Sequence, residues 1–542
     1  MPPEVVEALG QTNFTWVDTA IVVTYLAVSL FIGLAVKKYV RDMTTYIGAG
    51  RRVGVWLGVA TMLGTEMGLI TVMYSAQKGF TGGFAAFHIA VIAGVVTLLV
   101  GLSGFIVVPL RRLKVLTIPE FYEVRFDRKT RVLGGTMLAF GGILNMGLFL
   151  KVGSMFIVGV TGLSNTGWAL PATMVGLLIL VLVYTTLGGM LSVILTDYIQ
   201  FVVLSVGLLI ATLLAITQLG WSSIFTTVQD VMGEVGFNPV AKGSGFGWSY
   251  VAWMVISAGL VSCAVWPTAV ARALAMESTR AVKRQYCWSS ISFTIRFLIP
   301  YFWGICAFVY ILRAPEGADL KAIFFPTGPT GSAGFDNLYA MPVFMARLMP
   351  TVLLGLITAG MIAAFMSTHD SYFLCWSSVI TQDIIAPLRK KPLSGAARVR
   401  LTRIIIIIIG AYVLYWGLFY QGKDDIWDYM AVSGAVFFTG ALAVLVGGLY
   451  WKNASSTGAF AALLAGLTAL LGLGPVQQFV GLQYRLPGSD EWIQRLTGAQ
   501  VGLISVALAF AALISLSLLF PDRTSPSKRR VDQGAPNIEY RK

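Results

Sequence analysis

From residue 17 to residue 520 the chain repeats one pattern, an apolar stretch followed by a short polar link. A helix needs roughly 20 apolar residues to cross the hydrocarbon core of a bilayer. Such spans are predicted near 17–36, 54–78, 83–109, 133–160, 167–187, 190–218, 249–275, 288–312, 348–385, 403–420, 426–450, 457–480 and 498–520, thirteen in all. In lipid a backbone must satisfy its own hydrogen bonds, so each span reads as a helix. The expectation is an all-α polytopic membrane protein built as one membrane domain. Composition agrees: 56% of the residues are hydrophobic and 12% are charged, which excludes an ordinary soluble domain.

Basic residues give the spans a direction. Lys37, Lys38, Arg41, Arg51 and Arg52 follow the first span, and Arg111, Arg112, Lys114, Arg125, Arg128, Lys129 and Arg131 follow the third. Arg280, Lys283 and Arg284 follow the seventh, and Arg389, Lys390, Lys391, Arg398, Arg400 and Arg403 the ninth. All share one face if the N-terminus is outside and the C-terminus, with Lys528, Arg529 and Arg530, is cytoplasmic. Loops 219–248 and 314–340, on the other face, are poor in Lys and Arg. The net charge of +14 is thus read as loop charge beside a membrane. No nucleic-acid-reading motif accompanies it. Cys263, Cys287, Cys306 and Cys375 show no metal-ligand spacing, and a disulfide framework is not expected. The start, MPPEVVEALGQTNFTW, lacks the basic opening of a cleaved signal peptide. The expected location is a bacterial inner (plasma) membrane.

Two spans look interrupted. The second has Gly58, Gly64 and Gly68 around Thr65-Glu66, and the seventh has Gly259 and then Trp266-Pro267-Thr268. Glycine lowers helix propensity and proline removes a backbone donor. The two spans lie five apart, as broken helices do in secondary transporters with inverted repeats. Glycine and proline are also common in membrane helices at large, so the pattern alone leaves both readings open.

One stretch is chemically out of place. Residues 363–383 read AAFMSTHDSYFLCWSSVITQD, with Ser367, Thr368, Ser371, Ser377, Ser378 and Thr381 beside His369 and Asp370. Hydroxyls bunched in mid-membrane beside an acid must face something polar inside the protein. A hard cation such as sodium takes oxygen ligands, which this cluster offers. Hydrogen bonding between helices is the competing reading.

Several separated stretches carry a family likeness: TTYIGAGRRVGVW (44–56), LTIPEFYEVRFDRKTRVLG (116–134), YTTLGGMLSVILTDYIQ (184–200), PTAVARALAMES (267–278), AAFMST with the later TQDI (381–384), and GGLYWKNASSTGA (447–459). In these the chain resembles the sodium:solute symporter family, which includes sodium–glucose, proline, pantothenate, iodide and monocarboxylate carriers. The match runs in order from about residue 15 to residue 460. The resemblance implies a five-plus-five inverted-repeat core with two discontinuous helices, alternating access, and sodium as the coupling ion. Carried over by position, the sodium ligands would be the hydroxyls of Ser367 and Thr368, the carbonyl of Ala364, and carbonyls near Leu63 and Glu66. Asp197 takes the family's Thr-Asp position, as a stop on the exit path of sodium or part of a second cation site. An interfacial acid paired with a loop Arg or Lys is the alternative.

The substrate positions depart from the sugar carriers. Met67 and Ile70 stand where those carriers look polar, Trp266-Pro267 replaces an Asn-Gln pair, and Met430 falls near a Gln. An apolar wall would leave sugar hydroxyls unpaired. Pro267 and Ala271-Arg272 look closer to proline carriers, although Gly259 and Cys263 replace aromatic positions there. Two intramembrane charges stand out, Glu66 at the interruption and Lys151 within GGILNMGLFLKVGSMFIVGV. Lys151 reads as an anchor for a substrate carboxylate, by likeness to a sialic acid carrier with a basic residue on that helix, or as a partner of Glu66. Snorkelling or structural pairing is the competing reading. Glu66 fits sodium binding, capture of a substrate amine, or proton carriage. Asp370 fits support of the cation site or pairing with His369 or Arg296. His88 and His369 lack metal-ligand spacing and fit ordinary polar packing.

Together these point to a sodium-coupled symporter importing a small polar organic solute, possibilities being a carboxylate or an amino acid. Its partners would be sodium, the solute and the lipid bilayer. A proton-coupled carrier on the same scaffold and a transporter-like sensor are the alternatives. No nucleophile–base pair, HExxH or Gly-rich phosphate loop points to an enzyme. The expected organisation is an extra helix and loop over 1–53, five-helix repeats over 54–218 and 249–450, two accessory helices over 451–520, and a basic, disordered tail over 521–542.

Overall fold

Most of the apolar stretches become helix, and at several of them a capping side chain or a proline sets the start. The computed structural model describes residues 3–36, 49–163, 167–326, 328, 336–420, 426–485 and 492–522. Lys37, Lys38, Arg41 and the tail from residue 523 lie outside the described residues. In chain order the main helices are α1 (Trp16–Val36), α2 (Val55–Glu66), α3 (Leu69–Gly82), α4 (Phe87–Ser103), α5 (Arg128–Met146), α6 (Phe149–Thr161) and α7 (Ala169–Leu219). They continue as α8 (Gly247–Met254), α9 (Pro267–Ala275), α10 (Thr279–Arg313), α11 (Leu353–Val379), α12 (Gly395–Phe419), α13 (Ile426–Tyr450), α14 (Ser456–Gly466) and α15 (Gly498–Leu519). Asp127, Ser278 and Ser394 cap α5, α10 and α12 by accepting a first-turn N–H. Thr497 and Gln500 form a reciprocal capping box on α15, which satisfies donors that a helix start leaves open.

Among the described residues nine helical runs are long and apolar enough to cross a membrane, and three shorter apolar helices accompany them. The expected thirteen are not all separate. Helix α7 is one run of 51 residues where a boundary between 187 and 190 was expected. Gly188 and Gly189 lower helix propensity there without providing a stop. The fold is also not purely helical. Strands β1 (Gln483–Arg485) and β2 (Trp492–Gln494) pair antiparallel in the link before α15.

Both interruptions are real breaks. The first falls two residues later than expected. Helix α2 runs through Glu66, Met67 leaves helical geometry, Gly68 is extended (φ −73°, ψ 161°), and α3 begins at Leu69. In the second, α8 widens into a π turn over Val255–Val261, Trp266 is extended (φ −67°, ψ 126°), and α9 starts at Pro267. Proline suits that first position because its missing N–H would have had no partner. The π turn was not expected, since VISAGLV holds only one breaker.

Packing draws these breaks to the middle. Helix α10 lies along α3 and α4, α11 lies along α7 and α1, and α13 packs on α5, α14 and α15. At the α3–α10 crossing, a methyl group on Gly79 or Gly304 would overlap the backbone of the other helix. The exposed Ile404, Ile407 and Ile408 on α12 fit a lipid-facing stripe.

The basic loops gather at one end. Arg111 Nε donates to the Met276 carbonyl at 2.8 Å, and Arg398 Nη1 donates to Gln382 Oε1 at 2.9 Å. Arg131 bridges Asp383 at 2.8 Å and Glu123 at 2.5 Å. The ion pairs Arg347–Asp319 at 2.6 Å and Lys78–Asp428 at 3.4 Å belong to the loops and helix ends of the opposite side.

Candidate functional site

A helix that stops inside a membrane protein leaves carbonyls without their usual donors. At the end of α2, side chains of α11 supply them. Ser367 Oγ donates to the Gly64 carbonyl at 3.0 Å, and Thr368 Oγ1 donates to the Thr65 carbonyl at 3.3 Å. Gly68 permits this approach, because a methyl group there would overlap Thr368. The Leu63 carbonyl accepts the Met67 N–H at 2.8 Å. The carbonyls facing the hydroxyls are therefore those of Gly64 and Thr65, one residue along from Leu63 and one short of Glu66. Ala364 is fully buried on α11, one turn before Thr368.

Asp197 sits at the same place, not out at an interface. It is fully buried on α7 and accepts Thr61 Oγ1 at 2.6 Å and Thr65 Oγ1 at 3.3 Å. The one Ser367 hydroxyl proton is shared between the Gly64 carbonyl and the other Asp197 oxygen. Its cationic partner is Arg272 of α9, not a loop residue: Nη2 lies 3.7 Å from Asp197 Oδ2 and donates to Ser371 Oγ at 2.6 Å. Ser371, in turn, donates to Asp370 at 3.3 Å. Two carboxylates, one guanidinium and four hydroxyls thus form a network between α2, α7, α9 and α11. Oxygen donors of this kind suit a hard cation. Among the described residues no group of three or more His, Cys, Asp or Glu could hold a metal ion.

Beside this network lies a cavity of about 120 Å³. Thr65, Glu66 and Thr368 form its boundary with the network, and Ile70, Trp266 and Met430 line it, as do Tyr74, Phe149, Tyr372 and Trp427. Glu66 Oε2 pairs with Arg296 Nη1 at 2.8 Å, and Thr268 Oγ1 donates to Glu66 Oε1 at 2.8 Å. Trp266 Nε1 donates to Tyr372 Oη at 2.8 Å, and Tyr74 meets Trp427 edge-on with ring centroids 4.7 Å apart.

Two positions expected at the substrate are elsewhere. Met67 is buried in the core and does not line the cavity. Lys151 does not line it either. Its Nζ donates to the Tyr420 carbonyl at 2.7 Å, just past the end of α12, where a cation offsets the partial negative charge of a helix terminus. The long lysine stem lets its head reach that terminus. Glu66 is accordingly paired with Arg296, and so is not the partner of Lys151; Asp370 accepts from Ser371 at 3.3 Å. His369 Nδ1 meets its own helix at the Phe365 carbonyl, 2.9 Å away, and His88 Nδ1 meets the Ala85 carbonyl at 2.6 Å.

Sequence reasoning missed Thr61, met Arg272 only within the Ala271-Arg272 likeness to proline carriers, and named Arg296 only as a partner for Asp370. A signal existed for both arginines. Each stands alone among apolar neighbours, in PTAVARALA and ISFTIRFLIP, and an intramembrane charge is by default a functional candidate.

The sodium:solute symporter family matches over residues 46–466. A sodium/sialic acid symporter of Proteus mirabilis is 24% identical over 477 residues, covering 85% of this chain and 90% of that protein. A sodium/glucose cotransporter of Vibrio parahaemolyticus is 23% identical over 524 residues, covering 92% and 91%. The fold is similar to a solved structure of a Na+-coupled sialic acid symporter in a substrate-bound outward-open state, with a TM-score of 0.75, 20% identity, and coverage of 94% of this chain and 100% of that one.

Proposed function

We propose a transport mechanism from one premise: the chain belongs to the sodium:solute symporter family, and sodium is its coupling ion. The solute is a small polar organic molecule bearing a carboxylate, such as an organic acid or an amino acid, and it binds in the cavity between the two helix breaks. Sodium binds beside it, to Ser367 and Thr368, the Ala364 carbonyl and the carbonyls ending α2. The observation that carries this reading is the contact of Ser367 and Thr368 with the freed Gly64 and Thr65 carbonyls, directly next to the cavity boundary. A cation between those oxygens would join α2 to α11 and shape the cavity wall through Thr65, Glu66 and Thr368. Asp197, hydrogen-bonded to Ser367, is the next oxygen group on the ion's route or part of a second cation site.

The two breaks support an inverted repeat over 54–218 and 249–450, with 451–520 as accessory helices and the basic loops on the cytoplasmic side. At a potential of ~100 mV one inward sodium gains about 2.3 kcal/mol, and a roughly tenfold gradient adds about 1.4 kcal/mol. Together these concentrate a neutral solute ~300-fold or more. A monoanion moving with one sodium carries no net charge, so it would need a second cation to use the membrane potential. Uptake into proteoliposomes tests the proposal. An inward sodium gradient should drive accumulation, and equal accumulation with potassium in place of sodium would refute it.

A further inference from the structure

The charges facing the cavity cancel, and that limits what fills it. Among its lining residues Glu66 and Arg296 are the ionised groups, joined at 2.8 Å, with side chains 9% and 3% exposed. The guanidinium carbon lies 3.9 and 4.4 Å from the ring centroids of Phe293 and Phe297. Nη1 also reaches the Glu66 carbonyl at 3.4 Å and Nη2 donates to Ser262 Oγ at 3.2 Å. Arg296 Nε is buried with no hydrogen-bond partner among the described residues. The guanidinium therefore has a donor to spare, and each Glu66 oxygen keeps a lone pair beyond its one side-chain donor.

A carboxylate alone would draw Arg296 away and leave Glu66 buried, unpaired and beside a second negative charge. An amine alone would do the reverse to Arg296. Leaving one member of a buried ion pair uncompensated is strongly unfavourable. A sugar would leave the pair intact and use neither charge. A molecule carrying both charges can enter the pair head to tail, so that neither residue loses its counter-charge. The faces of Tyr74 and Trp427 then suit the cationic end.

We infer that the solute is a zwitterion, an amino acid or betaine whose carboxylate is taken by Arg296 and whose cationic nitrogen is taken by Glu66. The inference rests on the cavity being the solute site. It also fits the coupling, because a neutral zwitterion moving with one sodium transfers a net charge and uses the membrane potential.

Thermal unfolding of the full chain in detergent tests it, in sodium chloride and in potassium chloride. The probes are L-proline with cyclopentanecarboxylate and pyrrolidine, L-phenylalanine with 3-phenylpropionate and 2-phenylethylamine, glycine betaine, and D-glucose. At least one zwitterion should raise the melting temperature, and its carboxylate-only and amine-only counterparts should bind about thirtyfold more weakly or worse. Glu66→Gln, which keeps the side chain's size, should weaken the zwitterion and strengthen the carboxylate-only counterpart. If that variant does not fold, the probe series on the unaltered protein decides alone. The inference is overturned if a carboxylate-only probe or glucose binds as well as its zwitterion, or if no zwitterion binds. A zwitterion shift of equal size in potassium would leave this site standing and remove sodium coupling. A sodium-dependent shift from glucose alone would do the opposite.

Discussion

Arg272 and Arg296 are both buried in apolar helices and both pair with a carboxylate, yet they occupy opposite kinds of site. Arg272 faces Asp197, whose two oxygens already accept Thr61, Thr65 and Ser367. A smaller pocket reaches Arg272 and Ser371 of this network but is not lined by Asp197, and the network ties four helices together. Arg296 and Glu66 both line the larger cavity, although the Nε–H of either arginine is buried without a partner among the described residues. A buried ion pair by itself is weak evidence for either stability or function. The adjoining space, which Glu66 and Arg296 both line, separates the pair that holds helices from the pair that can receive a ligand.

Substitutions can break that contrast. Asp197→Ala should have the largest effect, about 3–5 kcal/mol of lost stability, because it strands Arg272; chemical denaturation or a fall in folded yield will show it. Arg296→Met should cost less in folding but should lower solute affinity ~100-fold while sodium still stabilises the protein, measured by thermal shift in sodium against potassium. If Arg296→Met unfolds the protein as Asp197→Ala does, the two pairs are alike after all. Gly68→Ala places a methyl group against Thr368 and should destabilise by about 1–3 kcal/mol through overpacking, with reduced sodium-driven uptake. Ser367→Ala should raise the sodium concentration for half-maximal uptake about tenfold, equivalent to ~1.4 kcal/mol, with little change in the solute dependence at saturating sodium. Lys151→Met should do least. Losing one carbonyl contact costs about 1 kcal/mol, and the apparent solute affinity should be unchanged in uptake assays.

The lysine and the two arginines show where sequence reading works and where it stops. Lys151, Arg272 and Arg296 are equally conspicuous as charges in apolar surroundings. Direction separates them. Lys151 reaches along its stem to the end of α12, while Arg296 turns into the cavity. Linear distance gives no hint that Glu66 and Arg296 touch, being 230 positions apart. The break in the second span was legible from its glycines, but its placement at Met67–Gly68 was not. That placement depends on α11 offering Ser367 and Thr368 to the freed carbonyls. Asp197 stood out in the sequence as an acid in a family motif with its partner left open, since an acid near a helix end reads the same whether it meets a loop or a neighbouring helix; the structure sets Arg272 beside it.

The sequence alone determined that this chain lives in a membrane, which loops share an end, where two helices falter, and to which family it belongs. Those properties follow from local hydropathy, charge and glycine or proline content, all of which are written along the chain. Tertiary structure alone decided which carbonyls meet the α11 hydroxyls, which arginine serves which acid, and that Glu66 with Arg296 faces open space. These are contacts between helices far apart in the chain, set by how their faces turn and how closely small residues let them approach.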